Sequence, residues 1–115
     1  MPYTPHHLAA LPGVHRAIPS DLDLDGDLDI VMAAMLPQST IQSLDADQVQ
    51  AVVWLEHLPK GEFARHVIER GAPNYAAMTV GDLNRDGRPD IVVGVFRGDE
   101  TKPSAAAKIF WNEGP

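Results

Sequence analysis

Short apolar runs separated by polar stretches recur along the chain. DIVMAAM (29–35) and DIVVGVF (90–96) are continuously apolar after their aspartate and rich in β-branched residues, which is typical of buried strands. A further candidate strand follows each of them, AVVWLEHL (51–58) in the first case and AKIFWNEG (107–114) in the second. The pattern therefore predicts an all-β protein.

Two other segments complete the predicted strands. EFARHVIERG (62–71) alternates polar and apolar residues, which favours an outer strand with one polar face. YAAMTVGDLN (75–84) predicts an inner strand that leads into an acidic loop. The one helical alternative is a short helix within 40–50, where the apolar spacing has some helical periodicity.

The most distinctive motif occurs twice. DLDLDGDLDIV (21–31) is followed by DLNRDGRPDIV (82–92), and seven of the eleven aligned positions are identical. Both copies follow the pattern D-x-[DN]-x-D-G-x-x-D-I-V. A motif that returns at this distance indicates a repeat architecture, with units at about 5–65 and 66–115 in one domain spanning 1–115.

The spacing within each loop fits a calcium ion, which takes six to eight oxygen ligands. Side chains at positions 1, 3, 5 and 9 would point inward, position 7 would offer its carbonyl, and glycine at position 6 would take the sharp turn. The predicted side-chain ligands of the two sites are Asp21, Asp23, Asp25 and Asp29, and Asp82, Asn84, Asp86 and Asp90. The predicted carbonyl ligands are those of Asp27 and Arg88.

Neither loop is an EF-hand, because position 12 is Met32 or Val93 instead of a bidentate glutamate, and a strand follows instead of a helix. The second loop offers three ligand carboxylates where the first offers four, so we expect it to bind calcium more weakly. The alternative is a pair of solvated, Asp-rich turns without metal. The shared spacing disfavours it, as does the crowding of eight of the 16 acidic residues into the two loops.

The loops, the VGDLN that precedes the second one, and the WLE and WNEG segments resemble FG-GAP or VCBS-type repeats. This resemblance implies blades of a β-propeller, two four-stranded blade equivalents per chain, with one Ca²⁺ in each loop. It also implies a structural, adhesive or ligand-binding scaffold in an extracellular or periplasmic setting. The alternatives are a carbohydrate-binding module and an accessory domain of a larger secreted enzyme.

Composition narrows the function further. Acidic residues outnumber basic ones 16 to 9, which disfavours nucleic-acid binding because phosphate contacts need clustered Lys and Arg. No apolar run approaches the length that spans a bilayer, and MPYTPHHLAAL lacks the basic start of a signal peptide. The chain has no cysteine, which excludes disulfides and thiolate chemistry.

No enzyme is expected, because the remaining polar residues form no catalytic motif. The five histidines have no zinc-binding spacing and are interpreted as structural: His6, His7, His15, His57 and His66. Of these, His66 and His6 or His7 are interpreted as strand-surface residues, because RHVIE and HHLAAL hold corresponding places in the repeat. Trp54 and Trp111 are predicted to hold corresponding places in the two repeats and to pack between blades, with sugar stacking as the alternative.

The second repeat lacks a counterpart of the outer strand FARHVIERG, whereas PHHLAALPG (5–13) resembles it. We therefore expect residues 5–13 of one copy to complete the last blade of another, which would cover an exposed sheet edge. With two blades per chain, a closed ring has an even number of blades, and propellers have about four to eight. The expected partner is the chain itself, in a cyclic trimer or tetramer. The alternative is that the chain is a segment of a longer propeller.

Overall fold

The apolar runs form two antiparallel sheets in the computed structural model, which describes residues 2–45, 47–71, 73–96 and 107–115. The first sheet has the order β1-β2-β3-β4 and the second has the order β5-β6-β7. A short helix, α1, lies between β2 and β3. The strands of the first sheet are β1 (Val14–Ser20), β2 (Asp29–Ala34), β3 (Gln50–His57) and β4 (Phe63–Arg70). The remaining elements are α1 (Gln38–Gln42), β5 (Tyr75–Gly81), β6 (Asp90–Val95) and β7 (Ala107–Phe110).

The second sheet repeats the first in detail. Each begins with an inner strand and an acidic loop, and then the apolar strand folds back antiparallel on the inner strand. Both inner strands carry a register shift at the same place, between Val14 and Arg16 in β1 and between Tyr75 and Ala77 in β5. The repeat predicted from the sequence is therefore also a repeat of structure.

The core lies between the two sheets. Because side chains alternate across a strand, each sheet has two faces. In the first sheet, the face that carries Leu22, Val31, Ala33 and Val52 is called the front face, and the opposite face is called the back face. The equivalent faces of the second sheet have the same names. The front face of the first sheet packs on the back face of the second, which carries Met78, Ile91 and Val93, in one buried cluster.

A second cluster covers the back face of the first sheet. Met32, Ala34, Val53 and Leu55 are buried there together with Leu11, which comes from the segment that precedes β1. The Arg65 guanidinium on β4 donates a hydrogen bond to the Ala10 carbonyl at 2.7 Å, which holds this segment in place. We call residues 2–12 the N-terminal segment.

The all-β prediction and the predicted strands are confirmed, and the second sheet contains three strands within the described residues. The helix α1 (Gln38–Gln42) is short and begins two residues before the predicted 40–50 region. Residues 5–13 form no strand in the single chain, so their role as an outer strand in another copy stays a prediction. His6 and His7 accordingly lie on an irregular segment and not on a strand, whereas His15, His57 and His66 do lie on strands.

The predicted correspondence of Trp54 and Trp111 is wrong. Trp54 pairs with Val31 across the first sheet, and the residue that pairs with the equivalent Val92 in the second sheet is Ile109. Trp111 instead corresponds to Glu56. The sequence spacing misleads here because the connections before β3 and β7 differ in length.

Among the described residues, α1 is too short to cross a bilayer, and no other helix there has the length and apolar character of a membrane span.

Candidate metal centre

The first acidic loop is closed by its own first side chain. The Asp21 carboxylate accepts the backbone N–H groups of Asp25 at 3.1 Å and Gly26 at 2.9 Å. Asp82 does the same in the second loop, with the N–H groups of Asp86 at 3.2 Å and Gly87 at 2.8 Å. The aspartate at position 1 therefore fixes the turn before any ion is considered.

The turn needs an unusual backbone at two positions. Gly26 and Gly87 have φ of 96° and 86°, as the glycine at position 6 of the motif predicts. Leu24 and Arg85, at position 4, also have positive φ, 60° and 62°, which costs a residue with a Cβ about 1–2 kcal/mol. Both loops thus hold the same strained conformation, although their side chains differ at this position.

The aspartate at position 9 is a buried link between the loop and the third strand. Asp29 is fully buried, and its two carboxylate oxygens accept the N–H of Leu22 at 3.1 Å and the N–H of His57 at 2.8 Å. Asp90 accepts the N–H groups of Leu83 and Asn112 in the same way, each at 2.9 Å. Each of these carboxylates therefore fastens the start of its loop to the end of the strand beside it.

The first loop gathers three carboxylates into one place. Asp21, Asp23 and Asp29 each direct an oxygen into a group whose atoms all lie within 4.8 Å of one another. The buried Oδ1 of Asp23 has no hydrogen-bond partner among the described residues. Burial, helped by the nearby charges of Asp29 and Asp25, raises the pKa of Asp23 to about 6. A bound cation would pair the buried oxygen of Asp23 and offset the repulsion among the three carboxylates.

This donor set fits the predicted ion. All the available donors are oxygens, and the cluster lies in a loop whose backbone is already held in place. Asp25 lies outside the group, and its Oδ1 accepts the N–H of Asp27 at 2.9 Å. Ligation by Asp25 and by the carbonyl of Asp27 stays a prediction.

The second loop has the same backbone but a different charge. Asn84 replaces the aspartate at position 3, and Arg88 Nη2 lies 3.4 Å from the Asp86 carboxylate. The backbone N–H of Arg88 and its guanidinium charge both lower the pKa of Asp86. Asp82, Asn84, Asp86 and Asp90 retain the predicted spacing, but one of their charges is already partly balanced. The contrast supports the expectation of a weaker second site.

Asn112 connects the two loops. Its backbone N–H is held by Asp90, its carbonyl accepts a hydrogen bond from Arg88 Nε at 3.0 Å, and its side-chain amide donates to the Leu22 carbonyl at 2.8 Å. Asn112 is not among the residues that the sequence predicts for the site. The available signal was the polar residue near the end of each third strand, since His57 is the last residue of β3 and Asn112 comes two residues after β7.

Glu56 is a second residue near the first loop that no sequence motif marks as part of the site. Its carboxylate lies close enough to Asp23 to contribute to the raised pKa of that residue, and it also makes a 2.8 Å hydrogen bond with His66 Nε2. The Trp54 ring stacks on His66 with centroids 4.6 Å apart. These residues line a cleft of about 850 Å³ between the outer parts of the two sheets, and Phe110 and Trp111 line its other side.

Comparison with known families gives one match. A family model described as the FG-GAP-like repeat matches residues 21–93, which include both acidic loops and all the strands from β2 to β5. No curated protein and no solved structure matches the chain.

Proposed function

Because the chain belongs to the FG-GAP-like repeat family, we propose that it is a non-catalytic β-propeller segment whose acidic loops bind calcium and are stabilised by it. The match covers more than half of the chain, and the two antiparallel sheets packed face to face agree with propeller blades. Its role is that of a scaffold for structure, adhesion or ligand binding.

The observation that carries the calcium proposal is the cluster of Asp21, Asp23 and Asp29, with the buried Oδ1 of Asp23 unpaired among the described residues. Zinc is disfavoured because it prefers histidine and cysteine ligands, and the loop offers oxygen alone. Magnesium dehydrates reluctantly and demands strict octahedral geometry, whereas calcium accepts a flexible shell of carboxylates and carbonyls. Calcium should therefore bind more tightly than either.

The proposed setting is outside the cytoplasm, as is typical of FG-GAP repeats. Calcium modules that work there have dissociation constants of about 0.1–1 mM. At about 1 mM calcium this gives on the order of 0.4–1.4 kcal/mol of stabilisation per site by linkage. Relief of repulsion among the clustered carboxylates acts in the same direction.

Thermal unfolding of metal-free protein with calcium or with chelator tests the proposal. The chain supplies its own matched pair of variants: Asp23→Asn gives the first loop the ligand set of the second, and Asn84→Asp does the reverse. Calcium should raise the melting temperature of the wild type, raise it less in Asp23→Asn, and raise it more in Asn84→Asp. The same melting temperature in calcium and in chelator would refute calcium stabilisation.

A non-catalytic role is supported by the surroundings of the histidines on β3 and β4. The His57 ring stacks on Phe63 with centroids 4.6 Å apart, and His66 is held by Trp54 and Glu56. These contacts give both rings a packing role.

We also propose that copies of the chain associate into a cyclic trimer or tetramer, with six or eight blades. Light scattering on the purified chain tests this directly. A mass of three or four chains is the expected result, and a monomer at micromolar concentration would exclude the ring.

A carbohydrate-binding module is the second candidate, because Trp54 and Trp111 line the same cleft. It ranks lower because His66 already covers part of the Trp54 ring. A glycan array probed with wild type and Trp111→Ala distinguishes the two functions: saccharide binding that the variant loses would favour this candidate. The other alternative, an accessory domain of a larger secreted enzyme, is decided by the sequence of the full gene.

A further inference from the structure

The front face of the second sheet is far more exposed than its counterpart in the first. Leu22 is 7% exposed and Val31 is 0% exposed, because the second sheet covers them. Leu83, the repeat equivalent of Leu22, is 50% exposed, and Ile109, the equivalent of Trp54, is 38% exposed. The second sheet therefore presents the kind of face that the first sheet buries against a neighbouring sheet.

The complementary surface is the back face of the first sheet. Ile30, Met32 and Leu55 correspond to Ile91, Val93 and Phe110, which make the back face that packs on the first sheet within the chain. In the single chain this surface is covered by Leu11 and Ala9 of the N-terminal segment. The chain thus shows, in its own interface, how a front face and a back face of this type fit together.

The N-terminal segment holds the place of an outer strand. In the first repeat, the outer strand β4 leads through residues 71–74 into β5, the inner strand of the next sheet. The N-terminal segment precedes the inner strand β1 in the same sequence order, with Pro12 in the sequence position of Pro73. By this correspondence it would be the outer strand of a sheet that packs on the back face of the first.

The second sheet has room for such a strand. No strand among the described residues pairs with the free edge of β7, whereas the equivalent edge of β3 is paired with β4. The cleft of about 850 Å³ lies beside this edge, between Phe110 and the front-face residues Trp54, His66 and Ile68. A fourth strand on β7 would direct alternate side chains into the cleft.

We propose that residues 2–9 of a second copy pair with β7 as the fourth strand of the second sheet and fill the cleft, while the front face of that sheet packs on the second copy's back face. This inference rests on the cyclic assembly proposed above and names its interface. Successive N–H positions of a strand point to opposite edges, so one of Pro2 and Pro5 lies on the outer edge, where it hinders the addition of a further strand.

The exchange also means that the N-terminal segment has two alternative positions, one on its own first sheet in the single chain and one beside β7 of another copy in the assembly. In the single chain it covers the back face of its own first sheet, with Arg65 bonded to the Ala10 carbonyl. The first sheet then separates it from the second sheet, which packs on the opposite face. Assembly must release Ala9 and Leu11 from the back face before another copy can pack there. The segment thus protects an apolar face until a partner replaces it.

Disulfide trapping in the full chain tests the strand exchange, since the wild type has no cysteine. The pairing of Trp54 with His66, transferred to the second sheet, sets Pro5 opposite Ile109. Facing residues of antiparallel strands have Cα atoms about 4.5–5.5 Å apart, within the range of a disulfide. Pro5→Cys with Ile109→Cys should give a ladder of cross-linked chains that ends at three or four. The matched control is Pro5→Cys with Glu62→Cys, which places the second thiol in the exposed turn between β3 and β4.

A disulfide closed within one chain, or no more cross-linking than in the control, would overturn the exchange. Hydrogen exchange of the wild type provides a second readout that needs no substitution. Amides of β7 should gain protection as the protein concentration rises, and unchanged exchange up to assembling concentrations would overturn the proposal. Neither result depends on the effect of calcium on melting, so failure of the strand exchange and failure of the calcium proposal are distinguishable.

Discussion

Asp29 offers the sharpest test of how the loops are held. Its buried carboxylate accepts one N–H from Leu22 and one from His57, so it joins the loop to the end of β3. Asp29→Asn keeps the shape but replaces one acceptor oxygen with an NH₂ group that faces an N–H donor. A hydrogen bond to a charged group contributes about 1.5–3 kcal/mol, and an unpaired buried donor costs a similar amount. We therefore expect Asp29→Asn to lower the free energy of unfolding by about 2–3 kcal/mol.

For a domain of this size that loss corresponds to a melting temperature lower by about 10 °C. Thermal unfolding in chelator is the appropriate assay, because it separates the role of Asp29 in the fold from any role as a ligand. Asp27→Asn is the control: that side chain is exposed and makes no hydrogen bond among the described residues, so its effect should stay within about 0.5 kcal/mol. Equal melting temperatures for Asp29→Asn and wild type would refute the structural role of Asp29.

Two further predictions concern the backbone of the first loop and the contact between the sheets. Leu24→Gly should stabilise the protein by about 0.5–1 kcal/mol in denaturant titrations, because Leu24 has φ of 60° and is largely exposed. The control is Leu28→Gly, at an exposed residue without a positive φ, which should destabilise the protein. A lower free energy of unfolding in both variants would contradict the strain at Leu24. The contact between the sheets joins Glu69 on β4 to Tyr75 on β5 and Lys108 on β7: the Tyr75 hydroxyl donates to the Glu69 carboxylate, and Lys108 Nζ donates to Glu69 at 2.8 Å and to the Tyr75 hydroxyl oxygen at 3.0 Å. Burial and Glu69 raise the pKa of Tyr75, and Glu69 and Tyr75 raise the pKa of Lys108, so both groups bind their protons more tightly in the folded state. The stability that these two groups contribute is complete below the unfolded tyrosine pKa of 10.0 and is lost as the pH rises through their folded pKa values. The melting temperature should therefore fall more steeply with rising alkaline pH for wild type than for Tyr75→Phe. The same slope in both proteins would argue against the contact.

The sequence contained most of the fold because each repeat is locally determined. The apolar runs, the loop motif and the glycine at position 6 act over a few residues, and the strands they predict are all present. The repeated motif also located the carboxylates that the first loop brings together.

The features that the sequence missed depend on distant parts of the chain. The N–H group that Asp29 holds on β3 belongs to His57, 28 residues away, and Asn112 bonds across 90 residues to Leu22. The correspondence of Trp54 with Ile109 follows from strand pairing. Sequence spacing does not show it, because the connections before β3 and β7 differ in length. The position of the N-terminal segment on its own sheet depends on an apolar face that forms only once β2 and β3 have paired.

Calorimetric titration of metal-free protein with calcium tests the central claim most directly. We predict two sites per chain that differ in affinity, with the tighter one weakened in Asp23→Asn and magnesium binding more weakly at both. The account of these loops as calcium sites would be contradicted if calcium gave no binding heat at several temperatures, or if magnesium bound as tightly as calcium.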